Sequence, residues 1–267
     1  MSRDLAEEVA AKMGLDYVPS AIQFRFAGAK GVLSRSSTLL KGRRIQLRPS
    51  QIKFDSDHYE LEVARVSSFI PGYLNRQSIT ILSTLGVPDK VFMKKLRSTI
   101  ETMNRILSDP PQAIKTLMMY EDPYGTTQSM AKMIQAGFLE KRDPHIVNLI
   151  NMFRVSMLKD LKKKAKILIH KGAFLLGILD ETRTLQEGEV FCQISAASNK
   201  GRGKKIIQGD VIVYRNPCFH PGDIRVVKAV DNPKLHHLMD VVVFSAQGYR
   251  DIPSMCSGGD LDGDDFT

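Results

Sequence analysis

The sequence predicts an α+β protein in three regions, on three observations. Ile22, Phe24 and Phe26 alternate with Gln23 and Arg25, the period-two pattern of a half-buried strand. Val91, Leu96 and Ile100, then Ile106, recur at four- to six-residue intervals, a spacing that reads as helical. From residue 175 to 246, short Val- and Ile-rich segments alternate with Gly, Pro, Asn and Asp, which suggests a small barrel.

The first region runs to about residue 70. A short helix from Asp4 to Met13 precedes strand-like pieces at 22–28, 44–49 and 60–66, with Gly28, Gly31 and Gly42 at turns or close backbone approaches. The second region, 71–170, reads as helical. Pro88-Asp89 signals a helix start, and Asp109-Pro110-Pro111 and Asp122-Pro123 punctuate the region. The tract KDLKKKAKILIHK at 159–171 reads either as a solvated helix face or as a nucleic-acid contact or import signal. The third region, 171–267, returns to strands at 175–181, 189–195, 210–215, 223–230 and 240–246. HPGD at 220–223 is expected to turn the chain, His236-His237 to pack or cap, and KGRGKK at 200–205 to form a mobile basic loop.

With 267 residues, 43% of them hydrophobic, the chain can form one large core or two small ones. A charged share of 25% argues against wholesale disorder. The net charge of +9 favours a polyanionic partner, although many basic proteins bind nothing anionic. Cys192, Cys218 and Cys256 are too few and too scattered for a disulfide framework or a zinc cluster. The N-terminal stretch lacks the apolar core of a signal peptide, and the longest apolar runs are too short for a bilayer. A soluble intracellular protein is expected, in nucleus or cytoplasm, with no membrane partner.

The chemistry-bearing segment is CSGGDLDGDDFT. Asp260, Asp262 and Asp264 alternate, so an extended or tightly looped backbone projects them to one side. Converging carboxylates repel unless a cation sits among them, and hard oxygen donors suit magnesium. Gly258, Gly259 and Gly263 allow the chain to curl, with Leu261 anchoring it. An EF-hand requires Gly at the sixth position and Glu at the twelfth; here the sixth is Asp265 and the sequence has no twelfth. A solvated acidic turn remains the bland alternative.

Beyond this loop, the stretch NPCFHPGDIRVVKAVDNPKLHHLMDVVVFSAQG at 216–248 resembles the eukaryotic cellular RNA-dependent RNA polymerases of RNA silencing. So do FRFAGAKGVL at 24–33, LRPSQIKF at 47–54, VARVSSFIPGYLNRQ at 63–77 and LLGILDETRTLQEGEVFCQIS at 175–195, in order from about Gln23 to the end. The resemblance implies two double-psi β-barrels joined by a helical connector, with residues 1–70 in the first, 71–170 in the connector and 171–267 in the second. It begins inside the first barrel and stops three residues past DLDGD, so both barrels are expected to be incomplete, with an unpaired edge.

The resemblance further implies RNA-templated RNA synthesis from ribonucleoside triphosphates, with magnesium on Asp260, Asp262 and Asp264. Arg25, Lys30 and Lys53 would contact nucleotide or RNA phosphates from the opposite barrel. The partners implied are RNA template, RNA product, nucleotides and silencing-complex proteins. A non-catalytic basic RNA-binding fragment is the alternative function. A DNA-templated polymerase subunit is a weaker third, opposed by the long 216–248 stretch.

Overall fold

The computed structural model describes residues 1–39, 41–120, 125–198 and 201–267. Asp122-Pro123 and the first residue of KGRGKK, Lys200, lie outside them. The architecture is mixed α and β, and the chain divides into two units, Met1–Ile70 with Ala173–Thr267, and Pro71–Gly172.

In the first unit, α1 (Arg3–Lys12) starts at Ser2, whose hydroxyl accepts the Leu5 N–H. Strands β1 (Ala21–Phe26), β2 (Ala29–Ser34) and β3 (Glu62–Val66) form an antiparallel sheet in the order β2-β1-β3. The alternation on β1 divides its neighbours. Ile22 and Phe24 pack with Leu5, Ala6 and Val9 of α1, whereas Ala21 and Val32 join the core made by the later strands. Residues 44–49 do not form the expected strand. Ile45 and Leu47 pack against the α1 cluster, so burial satisfies their alternation without a ladder.

The later strands are β5 (Ile167–Leu179), β6 (Glu189–Ser198), β7 (Gly201–Ile206), β8 (Gly209–Val213), β9 (Arg225–Ala229), β10 (Val241–Phe244) and β11 (Asp265–Phe266). Their main order is β11-β5-β10-β6-β9-β8, with β7 paired to β6. Strand β10 runs parallel to β5 and antiparallel to β6. Side chains alternate across this sheet: Leu176, Ile178, Phe191, Val241 and Val243 enter one core, and Val190, Val242, Phe244 and Phe266 the other. Residues 201–205 of the expected loop instead belong to strand β7, in register with β6 from Gln193↔Ile206 onward. HPGD forms a 3-10 turn capped by His220 and Asp223, and a four-residue helix follows at Ile252–Met255.

The second unit holds β4 (Ile70–Leu74, its first residue on the boundary) and helices α2 (Arg76–Thr84), α3 (Asp89–Arg105), α4 (Pro110–Met119), α5 (Thr126–Gln135) and α6 (Pro144–Lys164). Asp109 and Asp143 cap α4 and α6 with Pro at the first turn, where the missing N–H removes no helical bond. Ile106, Leu117, Ile134, Ile146 and Ile150 form its main core. The lysine tract splits: Lys162, Lys163 and Lys164 end α6, Ala165 turns at φ +51°, and the rest begins β5.

Candidate metal centre

Nine residues between the short helix at Ile252–Met255 and β11 carry the carboxylates. Ser257, Gly258, Leu261 and Gly263 all have positive φ, so the chain curls tightly. Gly259 leaves no room for a side chain, since a Cβ there would lie 2.9 Å from the Pro253 carbonyl oxygen. Leu261 packs beside Phe266 and Cys256, fixing the loop to the core as its apolar character implies. The far end is tied down by β11, where Asp265 and Phe266 pair with Leu176 and Leu175 of β5, and Gly177 N–H donates to the Asp264 carbonyl at 3.0 Å.

One carboxylate oxygen from each of Asp260, Asp262 and Asp264 lies within 4.8 Å of the others. The Asp260 N–H donates to Asp264 Oδ2 at 3.0 Å, and the Asp262 N–H lies 3.3 Å from Asp260 Oδ1. Desolvation, followed by the neighbouring carboxylates of Asp262 and Asp264, pushes the Asp260 carboxyl above its ordinary range. Lys30 beside Asp262 holds that carboxyl below its ordinary range, against a smaller opposing effect of burial. Two adjoining acids driven in opposite directions mark a concentration of negative charge.

Of the three basic residues expected opposite, Lys30 comes into contact: its Nζ lies 3.0 Å from Asp262 Oδ2. Lys53 donates to the Ser50 carbonyl at 2.8 Å, and its charge also favours ionised Asp262. Arg25 is exposed on β1, directly opposite Lys30 in the β1–β2 register.

Three further residues hold the loop and were not singled out from sequence. Gln23 Nε2 donates to the Asp262 carbonyl at 3.3 Å. Arg65 grips Asp265 at two points, 2.6 and 2.7 Å, and donates to the Gly263 carbonyl at 2.9 Å. Arg215 Nε lies 2.7 Å from Asp264 Oδ1. The strand periodicity contained a signal for the first two. Gln23 shares a strand face with Arg25, and Arg65 pairs with Gln23 across β1–β3. His236 pairs with Asp231 and stacks on Phe191, 6.1 Å between ring centroids, and His237 contacts the Arg35 carbonyl. Packing roles fit both.

Clustered hard oxygen donors facing cations on a separate sheet suit a divalent ion together with a phosphate-bearing ligand. A family model described as "RNA dependent RNA polymerase" matches residues 1–267, and the chain belongs to that family. Among its relatives, the probable RNA-dependent RNA polymerase 1 of Oryza sativa subsp. japonica is 42% identical over 99% of this chain and 35% of its own length. RNA-dependent RNA polymerase 1 of Schizosaccharomyces pombe is 44% identical over 94% of this chain and 22% of its own. The solved RNA-dependent RNA polymerase QDE-1 from Thielavia terrestris superposes with a TM-score of 0.78 at 26% identity, covering 100% of this chain and 32% of that one. The chain thus spans about a third or less of the length of these relatives.

Proposed function

We propose that this chain carries the nucleotidyl-transfer centre of an RNA-templated RNA polymerase acting in RNA-mediated gene silencing. Its partners are RNA template and product, ribonucleoside triphosphates and proteins of a silencing complex. The finer architecture we assign is two double-psi β-barrels, with residues 1–70 in the first and 171–267 in the second, joined by the helical connector at 71–170. The observation that carries the reading is the gathering of Asp260, Asp262 and Asp264 within 4.8 Å, with Lys30 against Asp262.

The donor set fits magnesium: three hard carboxylates lie on one tight loop, and burial followed by the neighbouring carboxylates raises the Asp260 carboxyl. Bound there, magnesium supplies Lewis-acid activation of an RNA 3′-hydroxyl for attack on the α-phosphate, with pyrophosphate as the leaving group. The protein's own task is placement and charge. Asp260, Asp262 and Asp264 hold the ion, and Gly258 and Gly263, both at positive φ, let the loop curl around it. Lys30, Lys53 and Arg25 offset negative charge as it shifts among the phosphate oxygens. Template bases are read by pairing, so no base-specific side chains are required.

Asp262→Ala is expected to abolish magnesium-dependent RNA extension by the enzyme while its far-UV circular dichroism is retained. Turnover equal to the unsubstituted enzyme refutes the assignment.

A further inference from the structure

The sequence DGDD places a fourth carboxylate, Asp265, directly after the three already described, and the structure treats it differently. Its two oxygens both accept from Arg65, at 2.6 Å to Nη1 and 2.7 Å to Nη2. Such two-point pairing fixes direction as well as distance, because the guanidinium and carboxylate planes must match. The same Nη2 donates to the Gly263 carbonyl at 2.9 Å. Arg65 therefore holds the residues on both sides of Asp264. Its Nε is buried and has no hydrogen-bond partner among the described residues, so the side chain's bonds there are directed at this loop.

The geometry points to Arg65 as the positioning residue of the metal centre, a conclusion that rests on the reading of Asp260, Asp262 and Asp264 as cation ligands. It acts in two ways. By neutralising Asp265 it keeps the fourth carboxylate turned away from the other three, so the loop offers a defined ligand set. By pinning Gly263 it fixes the backbone where φ is +139° and the chain is least constrained by its own side chains. The brace comes from β3, separated from the loop by 200 residues of sequence, so strand β3 adds a restraint on ligand geometry to the bonds the loop makes within itself. Gln23, opposite Arg65 in the sheet, adds its bond to the Asp262 carbonyl from the same strand face.

The test is direct manganese binding to the folded chain, followed by electron paramagnetic resonance, with thermal unfolding measured alongside. Arg65→Ala is expected to weaken manganese binding at least about tenfold while cooperative unfolding persists. In RNA extension, the magnesium concentration for half-maximal rate is expected to rise more than the rate at saturating magnesium falls. A purely structural residue would lower both the melting temperature and the folded yield without selectively moving the metal dependence. If Arg65→Ala does not fold, Arg65→Lys replaces it, since it keeps the charge but cannot grip both oxygens. Manganese affinity unchanged in the folded variant overturns the inference. Asp262→Asn serves as the control. If it loses manganese and the Arg65 variant does not, only the role of Arg65 fails; if it binds manganese normally, the metal-centre reading itself fails.

Discussion

Gly263 shows how a single position can decide the shape of the acidic loop. Its φ of +139° is one that L side chains rarely adopt, and a Cβ built there would sit 2.0 Å from Gln23 Nε2. Gln23 could swing away, but only by abandoning the Asp262 carbonyl. Gly263→Ala therefore combines backbone strain with loss of a tether, and is expected to cost about 1–3 kcal/mol of stability and to weaken manganese binding. Gly258 is the contrast: its φ is +68°, but nothing lies within 4 Å of a Cβ there. Gly258→Ala is expected to cost about 1–2 kcal/mol from the left-handed backbone alone and to leave manganese affinity intact. Denaturant midpoints and manganese titrations of the two variants separate the effects. Equal binding by both would show that the contact between Gly263 and Gln23 does not shape the ligand set.

At the scale of elements, β5 lies between β10 and β11, the strand that follows the acidic loop, and its end is secured by Asp180. This residue is fully buried and accepts from Thr182 N–H and Oγ1, Thr184 N–H and Leu185 N–H at 2.6–2.9 Å. Burial alone would raise its carboxyl, but the Thr182 hydroxyl and the three backbone donors together hold it below the ordinary range. A carboxylate with a depressed folded pKa adds stability above its unfolded value, and that contribution is lost as pH falls through the folded value. Asp180→Asn keeps the shape but replaces an acceptor with a donor facing N–H groups. It is expected to lose about 1–3 kcal/mol at pH 7. The gap from the unsubstituted protein should narrow as the pH falls below the ordinary carboxylate range, as read from urea unfolding across pH. A gap that stayed constant with pH would contradict this account.

Such elements also mark what could be read in the sequence. Strands β1, β3, β6, β8, β9 and β10 announced themselves through alternation or Val- and Ile-rich runs, because their side chains meet a core directly. The segment at 44–49 showed the same alternation without pairing, since packing against α1 uses the identical pattern. β7 was hidden by its Gly and Lys content; its ladder to β6 is a tertiary fact. The same division applies to the acidic centre. Spacing alone brought Asp260, Asp262 and Asp264 into view, whereas the roles of Arg65, Arg215 and Gln23 arise from contacts 42 residues or more away in sequence. Local pattern gives the strand face that Gln23 and Arg25 share, but not the loop that Gln23, Arg65 and Arg215 reach.

For the whole molecule, charge makes the broadest testable statement. The net charge of +9 at pH 7 includes exposed Lys30 and Lys53 near Asp262, exposed Arg25 on β1, and exposed Lys90, Lys94 and Arg97 along α3. Basic side chains that replace counterions on single-stranded RNA make affinity fall with salt, by a log–log slope of about −0.7 for each phosphate neutralised. About five contacts would give a slope near −3.5. Asp262→Asn leaves every one of those cations in place, so RNA affinity and its salt slope should survive while magnesium-dependent extension is lost. Fluorescence anisotropy of labelled RNA from 50 to 200 mM salt, run beside an extension assay, measures both. A protein that only bound RNA would show the salt slope but no magnesium-dependent extension for Asp262→Asn to abolish. RNA affinity independent of salt would instead remove electrostatic capture from the mechanism, leaving the basic surface without a part in holding the polymer near the carboxylates.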